Sequence, residues 1–201
     1  MTYGQVRDRV LMLLNQYSVA GGKIRVTYNN QADYLARVPG AVNDGLLYLA
    51  TTARRLRQVQ ELTAAEGAPN VYVLPDDCWQ LCAGGVFRMR GGEMERCGGF
   101  RMLGERELLL PEADGGVWMA EYFRYPVLLR EVPEDGDYVD CAPEAIGALT
   151  CYAAAQLAGA DDVYLQSVLQ NEFENRLSRL GEQTAAMRGT TEDVYGWGDM
   201  T

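Results

Sequence analysis

The sequence predicts an α+β fold. A mainly helical body is built from both ends of the chain, with N- and C-terminal helices packed together. A small antiparallel β-sheet or barrel is inserted between them, and a flexible tail follows. Three observations carry this reading. At both ends apolar residues recur every three or four positions, the period of a helix that buries one face. In the middle, the pattern changes to short β-branched and aromatic runs separated by glycine pairs and acidic turns. The final stretch, GEQTAAMRGTTEDVYGWGDMT, carries neither period. The expected divisions are 1–69 for the N-terminal helices, 70–136 for the β-rich insertion, 137–180 for the C-terminal helices and 181–201 for the tail.

The first helix begins after Thr2, a residue able to cap it, and Val6, Val10, Leu13, Leu14 and Tyr17 form its apolar stripe. Gly21-Gly22 ends it. Asn29 or Asn30 then offers a cap for a helix over Gln31 to Arg37. Pro39 lacks a backbone donor and costs roughly 3 kcal/mol in a helix interior. It fits best as the first residue of a new helix, so a bend between two helical pieces is expected there. The inward stripe of the second piece is Val42, Leu46, Leu49, Ala53 and Leu56.

Strands are expected at VYVL (71–74), GVFRM (85–89), FRML (100–103), ELLL (107–110) and VWMAEYFRY (117–125), with the glycine pairs as turns between strands. In the longest, Val117, Met119, Glu121, Phe123 and Tyr125 share one face, and Trp118, Ala120 and Tyr122 the other. Both faces are largely apolar, as in a strand covered on both sides. Helices return at Pro143-Glu144, with the stripe Ile146, Leu149, Ala153 and Leu157. Gly159 ends that helix, and Asp161 or Asp162 starts the next, with Leu165, Leu169, Phe173, Leu177 and Leu180 facing inward.

Composition narrows the function. The chain has no histidine, which excludes Ser-His-Asp and Cys-His nucleophile systems and an HExxH zinc site. It has no GxGxxG after a strand and no GxxxxGK[ST] phosphate loop. The five cysteines are odd in number, scattered, and form no CxxC pair, so they read as structural thiols. Cys78 and Cys82 make at most half of a metal site. Asp76-Asp77 is the best-placed carboxylate pair, and adjacent carboxylates after a proline suit a solvated turn better than catalysis. The expectation is no catalytic residue, no cofactor and no metal.

The net charge is −10, unevenly spread: +3 over residues 1–70, −7 over 71–140 and −6 over 141–201. Tight nucleic-acid binding needs a basic face, and the only local basic cluster is Arg54, Arg55 and Arg57. Its placement suits the polar face and last turn of a helix, where cations favour the dipole. Tyr195 and Trp197 in the tail are the aromatics that most often anchor interfaces. These five residues are the expected partner contacts. The N-terminal apolar run is interrupted by Arg7, Asp8 and Arg9 with no small-residue cleavage site after it, so a signal peptide is not expected. Nor does any apolar run reach membrane-spanning length.

The order of segments resembles a family, the head-to-tail connector or adaptor proteins of tailed bacteriophages. The stretches that carry it are YNNQADYLARVPGAVNDG (28–45), LATTARRL (49–56), VLPDDCWQL (73–81), EYFRYP (121–126) and DYVDCAPEAIGALTCYAAAQL (137–157). Within them, Asp33, Tyr34, Arg37 and Pro39, then Leu74, Pro75 and Asp77, then Arg124, Tyr125 and Pro126 match the family's pattern. The resemblance implies a structural virion protein at the head–tail interface, made in the bacterial host cytoplasm. Its partners would be the portal protein, the next tail component (stopper or tail protein) and itself, in a ring of commonly twelve copies. Double-stranded DNA would pass through the channel without specific binding, and no membrane is involved. The alternatives are another tail-completion or stopper protein or, in a different class, a carboxylate-dependent metal nuclease of a mobile element.

Overall fold

The computed structural model describes residues 1–14, 28–68, 70–111, 116–159 and 162–187, with the backbone alone at 28–31 and 181–187. Among the described residues, four α-helices carry the α part: α1 (Tyr3–Leu13), α2 (Tyr28–Thr52), α3 (Ile146–Ala158) and α4 (Val163–Met187). Among them, too, eight strands carry the β part: β1 (Leu56–Glu61), β2 (Thr63–Ala64), β3 (Val71–Val73), β4 (Cys78–Arg90), β5 (Glu93–Arg96), β6 (Arg101–Met102), β7 (Glu107–Leu109) and β8 (Val117–Arg124). The chain divides into two compact units, one of residues 1–45, 130–138 and 142–201, the other of 46–129 and 139–141.

In the first unit α3 packs on both α1 and α4. The α3 stripe of Ile146, Leu149, Ala153 and Leu157 is buried as its spacing predicts, and the small Ala153-Ala154-Ala155 run is buried with it. Leu169, Phe173 and Leu180 are the buried stripe of α4, whose first turn is capped by Asp162 Oδ1 accepting from Leu165 N at 2.9 Å. In α1, Val6, Val10 and Leu14 are buried, together with Leu11, while Leu13 is half-buried. Tyr17 and Gly21-Gly22 lie outside the described residues.

Two helical expectations need correction. Pro39 does not separate two helices: α2 runs through it without a break. The reason is that the apolar stripe stays in phase across the proline. Tyr34, Val38, Ala41, Val42, Leu46 and Leu49 are all buried, so packing on both sides outweighs one lost hydrogen bond. Close approach adds to this at Gly45, where a Cβ would lie 2.7 Å from Leu149 Cδ1 and 2.9 Å from Tyr152 Cδ1. The second correction is at the C-terminus. Helix α4 continues to Met187, so residues 181–187 are helical rather than the start of a tail.

In the second unit the strands form two open four-stranded antiparallel sheets, ordered β1-β8-β4-β5 and β2-β3-β7-β6, and not a closed barrel. Their shared core is Leu62, Leu74, Val86, Leu108, Leu110, Trp118, Ala120 and Tyr122. Strand β8 therefore buries its Trp118-Ala120-Tyr122 face. Its other face is only partly covered, with Val117 exposed and Met119, Glu121 and Phe123 half-buried. Leu56 is not the end of a helical stripe. Helix α2 stops at Thr52, and Leu56 opens β1, paired with Arg124 of β8. Gly84-Gly85 is not a turn between strands either. It sits inside β4 at a register shift, where a Cβ on Gly85 would lie 2.3 Å from the Glu121 carbonyl oxygen. The pairs 91–92 and 98–99 do separate strands.

Candidate assembly site

In the second unit the fold gathers two of the family-pattern stretches around one polar clamp. Strand β8 ends at Arg124, and its guanidinium grips Asp140 in a two-pronged contact, Nη1 to Oδ2 at 2.5 Å and Nη2 to Oδ1 at 2.8 Å. The same Asp140 Oδ2 accepts from Val127 N at 2.8 Å, and Arg124 Nη1 also donates to the Tyr125 carbonyl at 3.0 Å. Planar two-pronged pairing of this kind is the strong form of an ion pair. Only 20% of the Arg124 side chain and 14% of the Asp140 side chain remain exposed, so water screens the pair weakly. The Arg124 hydrogen bonds, helped by the Val127 amide, hold the Asp140 carboxyl below its ordinary range.

Asp77 secures the opposite side of the clamp. Its carbonyl accepts from Tyr125 N at 2.7 Å, and its Oδ1 accepts from the Tyr122 hydroxyl at 3.0 Å. Tyr122 also reaches Gln60 Oε1 at 3.0 Å. Burial, reinforced by the bond to Asp77, pushes the Tyr122 hydroxyl pKa well up, so it remains a neutral donor. Leu74 is buried just upstream, and its carbonyl accepts from Arg106 Nη2 at 2.7 Å. The result is a short, pinned segment after β8. Pro126 points inward, whereas Tyr125, Val127 and Leu128 stay exposed. Such a site presents exposed side chains on a backbone that is pinned at Tyr125 and Val127.

The first unit contributes a different arrangement from the remaining family-pattern stretch. Asp33 and Arg37 form an exposed ion pair one helical turn apart at 3.2 Å, while Tyr34 and Pro39 are buried. Pro39, Tyr3, Arg7, Leu35, Val132 and Pro133 are among the residues lining a groove of about 420 Å³. The acidic turn caps α1: Tyr3 N donates to the Asp137 carbonyl at 2.7 Å and Gly4 N to the Asp135 carbonyl at 3.0 Å. Arg7 is ion-paired with Asp135, and Arg130 with Asp137 at 3.0 Å and Glu134 at 2.9 Å.

The expected contact residues are placed as follows. Arg54 is half-buried in the bend after α2, and Arg55 and Arg57 are exposed, with none of the three in a helix. The Arg55 guanidinium lies 5.0 Å from the Phe123 ring centre and 5.5 Å from that of Trp79, a stacking contact. Arg57 pairs with Glu121 at 3.2 Å. Tyr195 and Trp197 lie outside the described residues. Asp76 and Asp77 diverge, with Asp76 ion-paired to Arg106 and Asp77 bonded to Tyr122. All five cysteines are free thiols, with Cys82, Cys141 and Cys151 buried. Among the described residues, no three or more Cys, Asp or Glu side chains are grouped to hold a metal ion, and no helix is long and apolar enough to cross a membrane. Sequence reasoning missed Gln60, Trp79, Phe123 and Asp140. Trp79, Phe123 and Asp140 left a trace, since each lies in a family-pattern stretch, whereas Gln60 left none.

No curated protein matches the chain. A family model described as SU10 adaptor protein matches residues 1–194, which takes in both units and the segments of the clamp. The chain belongs to the SU10 adaptor protein family, a family of structural phage head–tail adaptors.

Proposed function

We propose that the protein is a ring subunit that docks below the phage portal, extends the DNA channel and forms the platform for the next tail component. The observation that carries this is the adaptor-family match over residues 1–194. The clamp supports it. An assembly subunit needs contact side chains that are already ordered, because ordering them on binding costs about 0.5–1.5 kcal/mol each. The backbone of Tyr125 and Val127 is pinned in advance, which lowers the ordering cost of this exposed segment. The ring would contain about twelve copies, formed by contacts whose rotation closes. The chain's charge of −10 suits passage of DNA without tight binding and opposes crowding of like subunits, so the ring forms on the portal rather than in free solution. Tyr195 and Trp197 fill pockets on the portal or on a neighbouring subunit, with Arg54, Arg55 and Arg57 as further contacts.

Mass photometry of the protein alone and mixed with its cognate portal tests this reading. The expected result is a small species alone and a portal-bound ring in the mixture. Absence of any portal association overturns it. A chain truncated after Met187 separates the role of the tail, because it keeps α4 whole while removing Tyr195 and Trp197. Undiminished docking of that chain removes those two residues from the interface.

A further inference from the structure

We propose that the free subunit pairs with a second copy of itself through β1, antiparallel, about a two-fold axis at Val59. The two sheets have four edge strands. Three are short: β2 and β6 have two residues each and β5 has four, whereas β1 has six. Among the described residues β1 pairs only with β8, so its outer backbone groups have no backbone partner. Folded proteins normally blunt such an edge with charged side chains, proline or a bulge; Leu56–Glu61 (LRQVQE) has no proline or bulge, and its two charges, Arg57 and Glu61, are of opposite sign. Arg57, Val59, Gln60 and Glu61 are exposed along it, with Val59 at 48%.

The order of side chains selects the partner. Arg57, Val59 and Glu61 share one face of the sheet, and Leu56, Gln58 and Gln60 the other. Turning a second β1 about an axis at Val59 keeps both faces in register. Val59 then meets Val59 of the second copy, Arg57 meets its Glu61, and Gln58 meets its Gln60. Each unlike pair occurs twice by symmetry, so the strand is self-complementary in charge, shape and hydrogen-bonding groups. Moving the axis to Gln58 or Gln60 sets Val59 against Arg57 or Glu61 and loses the opposite-charge match. The head-to-tail alternative, β1 against β5 of another copy with the exposed Val59 and Met94 aligned, sets Arg57 opposite Arg96. Of these arrangements, two-fold pairing at Val59 is the one that sets Val59 against Val59 and both β1 charges against unlike charges of β1, and it joins two four-stranded sheets into one of eight.

Sedimentation velocity of the full chain over a concentration series, without portal, tests the pairing separately from ring assembly. The wild-type chain is expected to convert from monomer to dimer. Arg57→Glu alone and Glu61→Arg alone each oppose like charges twice and weaken the dimer about tenfold or more. An equimolar mixture of the two variants makes both pairs unlike again and restores the dimer. That result also shows that each variant is folded. Val59→Cys, under mild oxidation, gives a covalent dimer that the wild-type chain with its own five cysteines does not. A chain that stays monomeric throughout overturns the proposal. So does a dimer indifferent to both charge variants, or a mixture that does not re-form it.

Discussion

Two arginine–aspartate arrangements flank the passage from β8 to α3, and they do different work. In the second unit Arg124 and Asp140 meet face to face, largely shielded, and Asp140 also holds the Val127 amide. In the first unit Arg130 lies 55% exposed and spreads its contacts over Asp137 and Glu134. There Asp137 is held below the ordinary carboxylate range mainly by the Glu134 backbone amide, with Arg130 secondary. The lesson is that the same residue types fix structure only where water is excluded. An exposed ion pair contributes about 0–1 kcal/mol, whereas removing one partner of a shielded pair leaves a charge without compensation.

The comparison breaks most clearly at Asp140. Asp140→Ala is expected to cost about 2–3 kcal/mol in urea unfolding, slightly under the range for a fully buried pair because some exposure remains. A loss below about 0.5 kcal/mol would show the clamp to be no stronger than a surface contact. Acid gives a milder version of the same experiment. The folded-state carboxyl of Asp140 lies below its unfolded value of about 3.9. Its contribution is therefore fully present above that pH and is lost as pH falls through the folded value. Urea unfolding in the wild type and in Asp140→Asn should show a gap that is constant near neutral pH and narrows below about pH 4. A gap that widens on acidification contradicts the assignment.

Tyr122→Phe ranks next. It removes a buried hydroxyl that bridges Gln60 and Asp77, and a loss of about 1 kcal/mol is expected from the unfolding midpoint. The smallest effect should come from Asp137→Ala in the exposed turn. Its midpoint shift should be less than that of Tyr122→Phe and should shrink further in high salt, since screening acts on exposed charges. A shift equal to that of Asp140→Ala would erase the distinction between the two sites.

What the sequence revealed follows the range of the forces. The stripes of α3 and α4 were legible because Leu149 to Ala153 to Leu157, and Leu169 to Phe173, are repeats within one helix. Strand β1 was not. Leu56 continues the helical spacing from Leu49 and Ala53, and nothing local says that Thr51-Thr52 is the end of α2. The strand exists because β8, sixty-odd residues later, supplies its hydrogen bonds. Pro39 misled for a related reason, since its local cost is real but is outweighed by burial at Val38, Ala41 and Val42. The clamp stretches showed their residue types but not their partners. The pairings of Tyr122 with Gln60 and of Arg55 with Phe123 depend on β1 lying beside β8, and that of Arg124 with Asp140 depends on where the chain returns after residues 130–138.

The clamp also has a place in time. Val139–Cys141 belongs to the β-rich unit although the chain has already passed through residues 130–138 of the helical one. A ribosome makes all eight strands before it makes Asp140. A nascent chain that stops short of it lacks the carboxylate that Arg124 and the Val127 amide meet in the folded unit. The segment carrying Tyr125, Val127 and Leu128 thus becomes rigid only after the next part of the helical unit has begun to emerge. This exposed segment is the last piece of its sheet unit to gain its full set of bonds, after most of the subunit has been made.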